Sequence, residues 1–176
     1  DTECMALALK LSKLGRGSVG ANPMVGCVIT RDDNIIAQDF HRQYGESHAE
    51  VNALDQINHK AHDCNVYVTL EPCSHQGKTP PCVKALINAN VSKVFVATLD
   101  SNPEVSGSGV RLLRDSGIEV EVGLLGSAAL EVNRGFFKRM KTGLPFVTSK
   151  IAMSLDGRVA MKNGQSKWIT SDASRN

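Results

Sequence analysis

The chain has 176 residues, of which 41% are apolar and 22% charged, the balance of a folded globular protein with one hydrophobic core. Lysine and arginine number 20 against 18 acidic residues, and a net charge of +2 does not favour nucleic acid or a membrane surface as a partner. No apolar run approaches the roughly 20 residues of a transmembrane helix, and no secretion signal is visible. An odd number of cysteines adds to the expectation of a cytoplasmic protein with reduced thiols.

Hydrophobic periodicity and breaker residues predict five helices and six strands. Helices are expected over 5–14, 48–54, 81–89, 109–116 and 127–140. Strands are expected over 23–30, 35–40, 66–70, 93–98, 119–122 and 145–151. Ser47 is expected to cap the second helix, with Glu50 completing a capping box. After the opening hairpin, strands alternate with helices, which predicts an α/β fold: a three-layer helix-sheet-helix sandwich with a mixed central sheet.

One histidine, one glutamate and two cysteines occur in an order that suits a hydrolytic metal site. His48 and Glu50 begin one predicted helix, Cys73 follows a predicted strand, and Cys82 lies in the first turn of the next helix. Such a site needs three protein ligands and an open position for water, and His48, Cys73 and Cys82 would supply the ligands for Zn²⁺. Helix N-termini also favour the thiolate form of cysteine, which is the form that binds metal.

Glu50 is predicted to carry protons rather than to bind the metal. Zinc lowers the pKa of its water to about 7, so this catalytic carboxylate could take a proton and return it to a ring nitrogen and to leaving ammonia. The order H-x-E, then P-C and a second cysteine, is that of the zinc-dependent base deaminases. A non-catalytic structural-zinc module explains the three ligands but not Glu50, and His75 is its one nearby candidate for a fourth ligand.

The loop between Cys73 and Cys82 is longer than the two residues of the general deaminase pattern. A longer loop can still close on one metal, because the entropy of loop closure grows slowly with length. Its extra residues would stand at the rim of the pocket, where they could touch the substrate. These rim residues are His75, Lys78 and Thr79.

The chain resembles, over essentially its whole length, the N-terminal deaminase domain of the bifunctional riboflavin-biosynthesis deaminase–reductases, the RibD type. The segments that carry the resemblance are 22–26, 48–50, 69–75, 77–82, 100–103 and 154–158. The resemblance implies a cytidine-deaminase-like fold. It also implies hydrolytic deamination of 2,5-diamino-6-(5-phosphoribosylamino)pyrimidin-4(3H)-one to the 5-aminouracil derivative and ammonia.

The same resemblance implies which side chains bind the substrate. Asn22 would hydrogen-bond the pyrimidine ring, and His41 and His75 would line the pocket. The residues at the ribose and phosphate positions are Lys78, Asp100, Asn102 and Lys150. This assignment is chemically reasonable, because ribose hydroxyls pair with carboxylate and amide groups and a phosphate needs cations.

Residues 145–176 resemble the beginning of the family's second domain, which reduces the ribose with NADPH, whereas 1–144 correspond to the deaminase domain. Ser166 and Trp168 match cofactor-side or substrate-side positions in that reductase. The chain begins with Asp1 and carries only this beginning, so we expect a fragment without reductase activity. NADPH would bind only with the rest of the reductase domain.

A nucleic-acid deaminase, such as one that edits adenosine in transfer RNA, is the main catalytic alternative. It shares the zinc chemistry but needs a basic or aromatic surface for the strand. Aromatic residues make up only 5% of the chain, and Lys78 suits a single phosphate better than a polymer. A small phosphorylated pyrimidine is therefore the predicted partner, and the sequence leaves formation of a homo-oligomer open.

Overall fold

The computed structural model describes residues 1–101 and 106–175, and the chain divides into two compact units, 1–146 and 147–176. The strands are β1 (Gly26–Arg31), β2 (Asn34–Phe40), β3 (Asn65–Val68), β4 (Lys93–Val96) and β5 (Glu119–Val122). The helices are α1 (Thr2–Ser12), α2 (Ala49–Gln56), α3 (Cys82–Asn88), α4 (Ser108–Asp115), α5 (Gly126–Val132), α6 (Arg134–Thr142) and α7 (Asp172–Arg175).

The five strands form one mixed sheet in the order β2-β1-β3-β4-β5. Strand β1 pairs antiparallel with both β2 and β3, and β3, β4 and β5 are mutually parallel. The opening strands can be joined by a tight hairpin, whereas each parallel step needs a crossover, and α3 and α4 supply the two crossovers. The parallel strands therefore end at one edge, where their following loops collect.

Helices cover both faces of the sheet, as the predicted three-layer sandwich requires. Successive β3 residues point to opposite faces, so Val66 and Val68 pack with α2, α3 and α4 while Tyr67 packs with α1 and α5. Tyr67 stacks on Phe95 of β4, with ring centroids 4.7 Å apart. A mixed central sheet with helices on both faces is the predicted α/β sandwich, so the predicted architecture is confirmed.

The capping box predicted around Ser47 is wrong. His48, with φ −77° and ψ 168°, is the last extended residue before α2, and no side chain caps this helix end. The helix begins one residue later than the box requires, so Glu50 occupies its second position rather than its third. The extended conformation leaves the His48 ring at the helix start instead of on the helix surface.

The single helix predicted over 127–140 is two helices that meet at Asn133. The side chain of Asn133 is buried, accepts a hydrogen bond from the backbone N–H of Met24 at 2.8 Å and donates one to the Met24 carbonyl at 2.8 Å. Its backbone, at φ −109° and ψ 23°, leaves the helical region. A contact with a residue so distant in sequence overrides the local preference for a continuous helix.

The sixth strand predicted over 145–151 is absent from the described residues, because this apolar segment forms no ladder with another strand. Several of its apolar side chains are exposed, including Val147 at 76%. A strand exists only with a hydrogen-bonding partner, and sequence pattern alone does not reveal whether one is present.

Within the described part of the chain, no helix has the length and apolar character needed to cross a membrane.

Candidate active site

Three side chains from separate elements converge at one edge of the sheet. His48 precedes α2, Cys73 lies in the loop after β3, and Cys82 is the first residue of α3. Nδ1 of His48 lies 3.2 Å from Sγ of Cys82 and 3.5 Å from Sγ of Cys73. The backbone N–H of Cys82 donates to Sγ of Cys73 at 3.3 Å, which fixes the two cysteines relative to each other.

The spacing of these ligand atoms fits a zinc ion. Zn–N bonds of about 2.0 Å and Zn–S bonds of about 2.3 Å in a tetrahedron place N and S roughly 3.5 Å apart, close to the two separations seen here. All three atoms lie within 4.8 Å of one another. Among the residues that the structure describes, the converging group comprises His48, Cys73 and Cys82 and does not include His75.

The three converging side chains differ in how strongly they hold their protons. Hydrogen bonds with Cys82, first of all, and with His48 together lower the pKa of Cys73 to about 4, although burial opposes both. The same hydrogen bond and burial raise the pKa of Cys82. The hydrogen bond to Cys73 also raises the pKa of His48 against the effect of burial. A cysteine that is readily deprotonated is suited to bind a metal cation, because the thiolate is the form that binds metal.

Glu50 lies in the first turn of α2, beside the same cavity, and its side chain is almost fully buried. The pKa of Glu50 is raised to about 7. Burial is the main cause, the negative charge of Cys73 acts in the same direction, and His48 opposes both. Oε2 of Glu50 has no hydrogen-bond partner within the described residues. A buried carboxylate oxygen without a partner is costly unless a ligand or water satisfies it, so this atom is available for proton transfer.

His41 and Asn22 form a polar pair next to the ligands. The His41 ring is buried, and its Nδ1 lies 3.1 Å from the Ser47 carbonyl, an arrangement that favours donation from Nδ1–H. Nδ2 of Asn22 lies 3.5 Å from Nε2 of His41, which then accepts. Burial lowers the pKa of His41, and the nearby charge of His48 lowers it further although the Ser47 carbonyl opposes this. A neutral imidazole is the result.

A cavity of about 350 Å³ brings most of the predicted site residues together. Its walls include the predicted residues Asn22, His41, His48, Glu50, Cys73, His75, Lys78, Thr79 and Asp100. Cys82 is fully buried behind this wall. The cavity is large enough for a small ligand of the size of a nucleotide.

Three predicted residues lie elsewhere, and a fourth is not among the described residues. Asn102 falls outside the described residues. Lys150, Ser166 and Trp168 belong to the second unit, where all three are exposed. Their assigned roles stay predictions.

Sequence reasoning missed other residues of the cavity wall, among them Tyr44, Glu71, Phe136, Arg139 and Met140. The last three lie on α6 at positions i, i+3 and i+4, a spacing that places them on one helix face. That pattern was present in the sequence. Nothing in the sequence indicated that this face would meet the cavity, because the break at Asn133 sets the direction of α6.

Comparison with known proteins identifies the family to which the chain belongs. Residues 1–98 match the family model described as the cytidine and deoxycytidylate deaminase zinc-binding region. The chain belongs to this family of zinc-dependent deaminases. Residues 145–176 match a second model, the RibD C-terminal domain.

Several relatives resemble the chain over most of its length. It is 50% identical over 175 residues to the riboflavin biosynthesis protein RibD of Escherichia coli (strain K12), covering 99% of this chain and 48% of that protein. It is also 50% identical over 145 residues to the diaminohydroxyphosphoribosylamino-pyrimidine deaminase of Buchnera aphidicola, covering 82% of this chain and 99% of the relative.

A solved structure of Acinetobacter baumannii RibD superposes with a TM-score of 0.92 at 50% identity, covering 99% of this chain and 49% of that one. The chain thus spans about half the length of the RibD proteins that it matches.

Proposed function

We propose that this chain hydrolyses the 2-amino group of 2,5-diamino-6-(5-phosphoribosylamino)pyrimidin-4(3H)-one, giving the 5-aminouracil derivative and ammonia, in riboflavin biosynthesis. The Buchnera relative, covered over nearly its whole length at 50% identity, is named for this deaminase. The observation that carries the proposal is the convergence of three metal-ligand atoms beside the buried, unpartnered Oε2 of Glu50. A three-ligand metal site beside a buried carboxylate oxygen is suited to hydrolysis rather than to structural support.

His48, Cys73 and Cys82 would hold the zinc ion. When bound, zinc supplies a Lewis acid that makes a water molecule acidic near neutral pH. The absence of His75 from the converging group, within the described residues, supports a site with three protein ligands. Three ligands are typical of catalytic zinc, whereas structural zinc takes four.

Glu50 would move the protons of the reaction. Water adds to the ring carbon that bears the amino group, and Glu50 takes the proton that the water loses. Oε2 then returns this proton to the adjacent ring nitrogen. When the C–N bond breaks, the amino group leaves as ammonia with a second proton, which Glu50 carries from the added hydroxyl group. One C–O bond forms, one C–N bond breaks, and the carboxylate is regenerated.

The cavity wall offers partners for each part of the substrate. Asn22, held against His41, presents an amide to the pyrimidine ring. Lys78 and Thr79 offer a cation and a hydroxyl group to the phosphate, and Asp100 offers a carboxylate to the ribose hydroxyls. His75 would close the wall between ring and phosphate.

Asn102 and Lys150 would add to the ribose and phosphate contacts, a proposal that derives from the resemblance alone. Ser166 and Trp168 would belong to the reductase part of the family, where NADPH binds. No reductase step is proposed for residues 145–176.

Ammonia release from the phosphorylated diamino-pyrimidinone tests the proposal. The purified chain is assayed with and without a zinc chelator and after zinc is restored. Release that the chelator stops and zinc restores is the expected result. A protein that carries one zinc per chain yet releases no ammonia, alone or joined to the reductase domain, would refute the proposed function.

The same assay with two other substrates separates the alternatives. A transfer-RNA deaminase would release ammonia from an RNA stem-loop containing adenosine, and we expect none. The small net charge and the low aromatic content of the chain oppose binding of a polymer. A structural-zinc module would bind the metal and turn over neither substrate.

A further inference from the structure

Glu71 is a buried carboxylate that the proposed reaction does not use. It lies between β3 and Cys73, with 4% of the residue exposed, and it forms part of the cavity wall. Burying a charged carboxylate is costly unless hydrogen bonds compensate for the lost water. The contacts of Glu71 therefore indicate what it does.

Both carboxylate oxygens of Glu71 accept hydrogen bonds from backbone N–H groups. Oε2 accepts from Asp100 at 3.1 Å and from Gly107 at 2.9 Å. Oε1 accepts from Gly109 at 2.9 Å and from Val110 at 3.2 Å. One side chain thus fixes the backbone of Asp100, in the cavity wall, and the start of α4.

Helix α4 depends on this distant side chain for its N-terminal cap. Its N-cap is Gly107, at φ 79°, which has no side chain that could accept the free N–H groups of the first turn. Glu71 supplies the acceptors, and its negative charge lies at the positive end of the helix dipole.

The first turn of α4 also packs directly against the residue before Cys73. A Cβ atom added to Gly109 would lie 2.1 Å from the Pro72 carbonyl oxygen and 3.2 Å from the Glu71 side chain. Only glycine permits this approach. The first turn of α4 is therefore in contact with the segment that carries Cys73.

We propose that Glu71 is a positioning residue that sets the distance between the Asp100 side of the cavity and the metal-ligand Cys73. Through this link it determines the affinity for the ribose part of the substrate rather than the rate of the chemical step. The inference rests on the proposed function, in which Asp100 binds the ribose.

Glu71→Gln is the first test, because the amide keeps the size of the side chain but turns one acceptor into a donor facing two N–H groups. Charge-assisted hydrogen bonds of this kind are strong enough that we expect KM for the phosphoribosyl substrate to rise on the order of 10-fold. We expect kcat and zinc content to change by less than about 2-fold. An unchanged KM, or equal losses in KM and kcat, would overturn the proposal.

A second substrate distinguishes positioning from general damage to the site. The free base 2,5,6-triaminopyrimidin-4-one lacks ribose and phosphate, so Glu71→Gln should leave its kcat/KM within about 2-fold of the parent value. A variant whose fold or zinc site is damaged would lose activity on both substrates equally. In an Asp100→Ala background, Glu71→Gln should raise KM no further, whereas additive effects would contradict a link through Asp100.

Hydrogen exchange on the unaltered chain tests the link without any substitution. The amides of Asp100, Gly107, Gly109 and Val110 share one acceptor side chain, so we expect their exchange to be slowed by one common, large protection factor. Rapid exchange of Asp100 with slow exchange of the α4 amides would overturn the proposal even if Glu71→Gln fails to fold. Failure of the zinc-loaded parent chain to turn over the phosphoribosyl substrate, alone and joined to the reductase domain, would refute the proposed function, and the exchange measurement would still test the link through Glu71.

Discussion

The ammonium group of Lys78 lies 4.0 Å from the centre of the Tyr44 ring, and both residues form part of the cavity wall. A cation over an aromatic face is held by the ring quadrupole, with a strength of about 0.5–1 kcal/mol at an exposed site. Tyr44 therefore restricts a flexible side chain to the position proposed for the substrate phosphate. Sequence spacing between these two residues gave no indication of the contact.

Replacing Tyr44 by alanine should release Lys78 and raise KM for the phosphorylated substrate about 2-fold to 5-fold. Tyr44→Phe keeps the aromatic face and should retain the parent KM. Steady-state kinetics with the phosphorylated substrate and its dephosphorylated counterpart measure the effect, which should vanish for the latter. Equal losses for Tyr44→Phe and Tyr44→Ala would show that the hydroxyl group, not the ring, matters.

Glu50→Gln should lower kcat on the order of 10²-fold to 10⁴-fold, the usual contribution of a general acid–base group, while zinc content is retained. The amide has nearly the same shape but cannot accept and return a proton. The matched control is Asp55→Asn, which neutralises an exposed carboxylate on the same helix and should leave kcat unchanged. Zinc content by metal analysis and ammonia release give the two readouts, and a fully active Glu50→Gln enzyme would refute the shuttle.

Cys82→Ala should abolish stoichiometric zinc binding and lower the melting temperature, because the ion would no longer join the start of α3 to His48 and Cys73. Cys27→Ala is the control, because Cys27 is a buried residue of β1. Burial, and secondarily the nearby carboxylates, raise the pKa of its thiol. Cys27→Ala should keep one zinc per chain. Full zinc content in Cys82→Ala would exclude Cys82 as a ligand.

Asn133→Ala should destabilise the fold by about 2–4 kcal/mol, because both polar backbone groups of Met24 lose their partner. The exposed Asn88, at the end of α3, supplies the control, and Asn88→Ala should change the free energy of unfolding by less than about 0.5 kcal/mol. Urea denaturation measures both. Equal stability of the two variants would mean that the Met24 contact contributes little to the fold.

The convergence of His48, Cys73 and Cys82 near Glu50 could be predicted, because the chemistry of a hydrolytic metal site restricts both residue type and order. The sandwich could also be predicted, because the alternation of strands and helices is visible in the order of elements along the chain. The pairing of Asn133 with Met24 could not be predicted, since a helix propensity contains no information about a residue 109 positions away. Glu71 was visible in the sequence, but its role depends on backbone N–H groups that only the folded chain brings together.

Asp39 of β2 makes stability depend on pH in the acidic range. Its carboxylate accepts hydrogen bonds from Arg42, from the Phe40 N–H and from Gln56 of α2. Burial raises the pKa of Asp39, but these bonds and the charge of Arg42 outweigh burial, so the pKa lies below its usual value.

A pKa that is lower in the folded than in the unfolded chain contributes stability above the unfolded value of about 3.9. That contribution is lost as pH falls through the lower folded pKa. Asp39→Asn should therefore be less stable than the parent chain at pH 7, and the difference should shrink below about pH 4. Urea denaturation from pH 7 to pH 3 measures it, with Asp115→Asn, at an exposed helix end, as the control. A difference that stays constant across this range would mean that the ionised carboxylate of Asp39 is not what stabilises the contact between β2 and α2.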